Sequence, residues 1–115
     1  MTNNNLQVYL SNEKIIYELA EQLRKDIGID EFELIAPAVS ADTFNLLYFQ
    51  LFPLIEKLQK VNPAKLRLII NRCDISESQL KKELNKKSAK SYAACLTELV
   101  IKRVLQKVVI RNMHR

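Results

Sequence analysis

Residues 89–110 read AKSYAACLTELVIKRVLQKVVI, and the helical periodicity of this stretch decides the fold. Projected at about 100° per residue, Ala93, Thr97, Val100, Ile101, Val104, Leu105 and Val108 fall within an arc of about 140°, the width of a face buried in a domain. A second apolar group, Tyr92, Leu96, Leu99 and Ile110, lies on a different side, mixed with Arg103 and Lys107. Either neighbouring helices cover this helix on two sides, or the second stripe is a contact surface. β-branched residues crowd its end, each lowering helix propensity by a few tenths of a kcal/mol, so residues 107–111 are where fraying is expected.

Working outward, Ser88 is the expected cap of this helix. Before it, residues 81–90 hold five lysines, Lys81, Lys82, Lys86, Lys87 and Lys90, and one glutamate. Asp74 with Glu77 and Ser76 with Gln79 form two overlapping capping boxes, which start a fourth helix that turns Leu80 and Leu84 inward. Asn62-Pro63, an N-cap followed by proline at N1, opens a third helix through Leu66, Ile69, Ile70 and Cys73. From Ala41, the residues Phe44, Leu47, Leu51, Leu54, Ile55 and Leu58 recur at helical spacing, with Leu46, Tyr48, Phe49 and Phe52 on a second side. This aromatic second helix is expected at the centre of the core, kinked or broken at Pro53. Ser11 is read as the cap of a first helix with Ile15, Ile16, Leu19, Ala20, Leu23 and Ile27 inward, ended by Gly28, the only glycine, at the left-handed C′ position. Residues 29–41 are an acidic connection, and residues 1–10 an extended N-terminal arm.

The expected fold is therefore all-α: a single domain over residues 1–115, a compact bundle of four to five helices with a long C-terminal helix. Composition agrees, since one Gly and three Pro in 115 residues are too few for a turn-rich β sandwich or barrel. No stretch reaches the ~20 apolar residues of a spanning helix, and the first residues lack a signal-peptide pattern. A cytoplasmic protein with no membrane partner is expected. Cys73 and Cys95 are read as small buried hydrophobes, able to bridge only if their helices cross there.

Chemistry finds little support. The sole histidine is the penultimate residue, His114, where chain ends are usually mobile. Two cysteines cannot complete a zinc site, and one glycine cannot build a phosphate-binding loop. Asp30, Glu31 and Glu33 read as solvated acids. No enzymatic activity, cofactor, metal or small-molecule substrate is expected.

Charge is the more informative signal. Residues 1–56 carry 3 Lys/Arg and 9 Asp/Glu, a net −6, whereas residues 57–115 carry 15 and 4, a net +11. A field of one sign attracts any counter-charge, whether the chain's own first half, a partner protein or a polyanion. The five lysines of residues 81–90 and the basic residues of the last helix are arranged so that they could track phosphates. In a helix-turn-helix reading, residues 89–99 would enter the major groove.

Residues 69–76, IINRCDIS, followed by LVIKRVLQKV at 99–108, resemble a pattern in small, uncharacterised bacterial helical proteins. There an L-Y-R-x-D-(I/V)-x-E turn precedes a terminal L-I-x-x-R-x-x-Q-K-V helix. The resemblance covers roughly the last fifty residues and implies an all-helical fold with no particular activity. Arg72, Asp74, Arg103, Gln106 and Lys107 are the matching positions. A pairing of Asp74 with Arg103 or Arg72 is expected to lock the turn onto the last helix as a structural ion pair.

Taken together, the sequence reads as a non-catalytic interaction module, a small adaptor or regulator whose partner is another protein or a second copy of itself. Tyr92, Leu96, Leu99 and Ile110 are the expected anchors, with Arg103 and Lys107 giving orientation and charge complementarity. The alternative is a nucleic-acid-binding protein that sets Lys81, Lys82, Lys86, Lys87 and Lys90 on phosphates.

Overall fold

A computed structural model of the protein describes residues 8–29, 32–86 and 90–114. Among them are five helices and no strand: α1 (Glu13–Ile27), α2 (Thr43–Val61), α3 (Pro63–Arg72), α4 (Glu77–Lys86) and α5 (Tyr92–Met113). The expected all-α bundle with a long C-terminal helix is what the chain forms. Its radius of gyration of 13.6 Å is that of a compact globule of this length.

Helix boundaries follow from local polar chemistry. The Asn62 side chain accepts from the Lys65 backbone N–H at 3.2 Å, with Pro63 at N1. Gly28 ends α1 with φ 61° and ψ 37°, its N–H donating to the Arg24 carbonyl at 2.9 Å. Two expected caps are displaced. Asn12, not Ser11, caps α1 through the Ile15 N–H, while the Ser11 hydroxyl donates to the Val8 carbonyl. That bond belongs to a helical turn over residues 8–10 that buries Leu10, so this part of the expected extended arm is helical. Residues 1–7 and Ser88 lie outside the described residues. α5 is instead capped by Ser91, whose hydroxyl accepts from the Ala94 N–H at 3.1 Å.

α5 organises the core. All seven residues of its expected core face are buried, and so are Cys95, Leu96, Leu99 and Val109. It packs against α1, α2 and α4, while α3 sits on α1 and α2. A helix apolar on most sides is a central helix, and this settles the alternative left by its two stripes in favour of coverage. Leu96 and Leu99, at 0% and 4% exposure, are not available to a partner. Burial of Val104, Leu105, Val108 and Val109 also overrides the low propensity of the β-branched run, and the helix continues to Met113.

α2 is less central than expected. Leu47, Leu51, Ile55 and Leu58 are buried, but Leu46 is 44% and Phe49 69% exposed. The helix runs through Pro53 without a break. Pro53 and Phe49 both face outward, so the Phe49 carbonyl, which proline leaves without its donor, remains open to water.

The segment between α1 and α2 is held by side chains. Arg24 of α1 donates through Nε and Nη2 to the carbonyl of buried Leu34. Gln50 of α2 brackets the backbone of Ile35, accepting its N–H at 2.8 Å and donating to its carbonyl at 2.9 Å. Leu34 therefore points in and Ile35 points out.

Because Leu96 and Leu99 sit inside the core, Leu96→Asp and Leu99→Asp are expected to abolish folding. A buried, unpaired carboxylate costs several kcal/mol, a large part of a domain's total stability. Circular dichroism and thermal melting check this, and a folded, soluble Leu99→Asp monomer would place that side chain on the surface after all.

Candidate interaction surface

Polar groups from α1, α3 and α5 meet where α1 ends. The last carbonyls of α1 form the negative end of its dipole, and α3 meets them with two cations. Lys65 Nζ donates to the Gly28 carbonyl at 3.0 Å, and Arg72 Nη1 to the Asp26 carbonyl at 3.5 Å. Lys107 of α5 reaches between them. Its Nζ lies 3.5 Å from Asp26 and 3.6 Å from Asp74, and it donates to the Arg72 carbonyl. Gln22 donates to the other Asp26 oxygen at 3.0 Å.

Asp74 adopts φ 57° and fills the left-handed position that ends α3, a conformation short polar side chains tolerate better than most. Ile75 then donates to the Ile70 carbonyl at 3.1 Å. Asp74 therefore terminates one helix, while Ser76 caps the next by accepting from the Gln79 N–H. The expected lock between this turn and the last helix exists, but Lys107 makes it and not Arg103. Arg103 donates instead to Gln106 at 2.7 Å, and its buried Nε has no partner.

This cluster has the makings of a structural fastening, because its cations are met by the chain's own carboxylates and carbonyls. Beneath it Cys73 is fully buried as a free thiol. Burial, reinforced by Asp26 and opposed by Lys107, pushes its pKa up to about 12. Such a thiol is a packing group and not a nucleophile. Cys95 is likewise free and buried.

The residues expected to bind a partner are not assembled into one surface. Leu96 and Leu99 are internal, Tyr92 is half-buried beside α4 with its hydroxyl pKa raised by burial and then by Glu77, and Ile110 is 52% exposed at the far end of α5. Lys107 is engaged in the junction. Of the lysine cluster, Lys81, Lys82 and Lys86 are exposed on α4. Lys90 is bonded to Glu98, and Lys87 lies outside the described residues. Of the stretch 89–99 expected to read a groove, Ala93, Cys95, Leu96, Thr97 and Leu99 face the protein's own core, while Lys90 and Ser91 are exposed and Tyr92, Ala94 and Glu98 half-buried.

Exposed apolar residues occur at several places, among them Val8, Tyr17, Val39, Val61, Leu68 and Met113, and one group lies together on the outer face of α2. Asp42, Leu46, Phe49, Pro53, Glu56 and Lys60 are all exposed and fall within about 80° of one another at 100° per residue, opposite the buried face. Phe49 stands at the middle. Its ring packs edge-on against Tyr48, centroids 5.7 Å apart, and Tyr48 stacks on Phe52 at 5.5 Å. Ile35, 68% exposed and clamped by Gln50, borders the face on one side, and half-buried Phe52 on the other. Beyond Ile35 an open hollow of about 410 Å³ is lined by Ile29, Phe32, Leu54, Lys57 and Leu58. It is apolar apart from one lysine. The face was legible in part, since proline inside a helix is tolerated best where its orphaned carbonyl meets water, which marks Pro53 and Phe49 as outward.

The chain matches no protein-family model, no curated protein and no solved structure.

Two outcomes follow from the junction. A Cβ on Gly28 would stand 2.5 Å from Arg72 Nη1, at a φ of 61° that also strains an L-residue. Gly28→Ala is therefore expected to cost about 1–2 kcal/mol in urea unfolding, with part of the loss absent in an Arg72→Ala background. An unchanged cost there would separate the two residues. Cys73 gives a pH signature. Its folded pKa is raised above its unfolded value, so between pH 9 and 12 the unfolded chain holds fewer protons and stability falls as pH rises, by up to about 1.4 kcal/mol per unit. Unfolding curves of wild type and Cys73→Ala should diverge over that window, and parallel curves would contradict the burial of this thiol.

Proposed function

We propose that this chain is a cytoplasmic, non-catalytic interaction module that binds another macromolecule through the outer face of α2, not through its last helix. The observation that carries this reading is the 69% exposure of Phe49 at the centre of a contiguous patch with Leu46, Pro53 and Ile35. Scattered apolar residues are normal on a surface, but a contiguous patch with an aromatic centre and a charged rim is typical of a binding site. Large aromatics are also the residues that most often anchor interfaces. The rim here is Asp42, Glu56 and Lys60.

Supporting the non-catalytic part, His114 is exposed at the end of α5 and Cys73 is held as a thiol. Among the described residues no group of three or more His, Cys, Asp or Glu is placed to hold a metal ion. No helix among them is long and apolar enough to cross a membrane.

Phosphate binding keeps one specific observation in its favour, the exposure of Lys81, Lys82 and Lys86 on a single short helix. It is the second reading, and it is expected to be non-specific and strongly salt-dependent.

One experiment addresses both. Tagged wild type and Phe49→Asp, a surface change expected to alter stability by no more than about 0.5 kcal/mol, serve as baits in native extract with and without nuclease. Protein recovered in both halves with wild type and lost with Phe49→Asp supports the α2 face. Recovery that disappears with nuclease and is indifferent to Phe49→Asp would replace it with the lysine reading.

A further inference from the structure

We infer that the occupant of the α2 outer face is a second copy of this chain, laid antiparallel across a twofold axis near residue 51. This rests on the reading that the face is a contact surface, and it names the partner. The exposed positions 42, 46, 49, 53, 56 and 60 follow one another at intervals of 4, 3, 4, 3 and 4, the spacing that keeps a seam in line between two packed helices. They span about 27 Å of helix, most of the protein's longest extent of 36 Å.

Charge selects the register. With the axis near residue 51, Asp42 stands beside Lys60 of the partner subunit, and twofold symmetry repeats the pair at the other end. Phe49 then lies on Pro53 of the partner subunit, and Leu46 on the aliphatic stem of Glu56 of the partner subunit. Two other arrangements are penalised. An axis at Phe49 sets Asp42 against Glu56 of the partner subunit. A parallel pairing sets Asp42, Glu56 and Lys60 each against its own counterpart. Asp42 is available for its role, because it sits at the α2 N-cap yet makes no side-chain cap hydrogen bond.

The apolar centre supplies the affinity, and the ion pairs, which are exposed, chiefly set orientation. Ile35 and Phe52 widen the contact on either side of the stripe. Even so, its area falls toward the lower end for specific association, and a dissociation constant on the order of micromolar is expected.

Sedimentation velocity over a concentration series tests the inference, with thermal melting to confirm that each variant folds. Wild type should pass from monomer to dimer, and Phe49→Asp should remain monomeric. Asp42→Lys and Lys60→Asp should each weaken association by roughly 10-fold or more. An equimolar mixture of those two variants should recover dimers, because each now carries the charges the other needs, and so should the double variant. Wild type that stays monomeric at its highest soluble concentration overturns the inference, as do charge variants that fail to rescue each other. If wild type is monomeric while Phe49→Asp still loses a protein in extract, the contact surface stands and only its occupant is wrong. If dimers persist in Phe49→Asp, the surface itself is wrong.

Discussion

Everything in this fold depends on burying α5. Its 22 residues present apolar side chains on most sides, and no single neighbour can cover them. α1, α2 and α4 do so together. Once this helix is surrounded, the remaining geometry is constrained: α3 closes over α1 and α2, and each outer helix keeps one face for the core and one for water. The division of labour is unequal, because α4 contributes one buried side chain, Leu80, while α1 contributes a continuous apolar face.

The charge asymmetry of the chain acquires a local meaning from this packing. The acidic first half includes α1, and the groups docked along its later turns come from the basic second half. Lys107 pairs with Asp26, Arg111 donates to Gln22, and Lys65 and Arg72 meet the last carbonyls of the helix. Asn112, an uncharged donor, adds a hydrogen bond to the Glu18 carboxylate. Much of the asymmetry is thus a device for orienting α3 and α5 on α1. Among the exposed basic residues outside this junction are Lys57, Lys60 and Arg67, and Lys81, Lys82 and Lys86 on α4.

The sequence made the helices and the principal core face of α5 legible, because periodicity and caps such as Asn62-Pro63 and Gly28 are local signals. The site was much less so. Tyr92, Leu96, Leu99 and Ile110 looked like one surface because a projection shows which residues share a side, not which sides a neighbour covers. The inward orientation of Leu96 and Leu99 is a tertiary fact. Conversely Leu46 and Phe49 looked like core because they are large and apolar, and only Pro53, in line with them, hinted otherwise. Asp74 illustrates a third kind of miss. Its spacing to Glu77 fits one of the two expected capping boxes, yet its backbone is spent on ending the previous helix, and of the two it is Ser76 that makes the cap.

The most direct measurement is native-state hydrogen exchange resolved by residue. If α5 is the central helix, its amides from about residue 96 to 109 should be the slowest in the protein and open only with global unfolding, while α4 and the segment holding Ile35 open at lower free energy. Exchange in that stretch of α5 faster than in α1 or α2, by local opening, would show that the core is organised around another element and contradict the account.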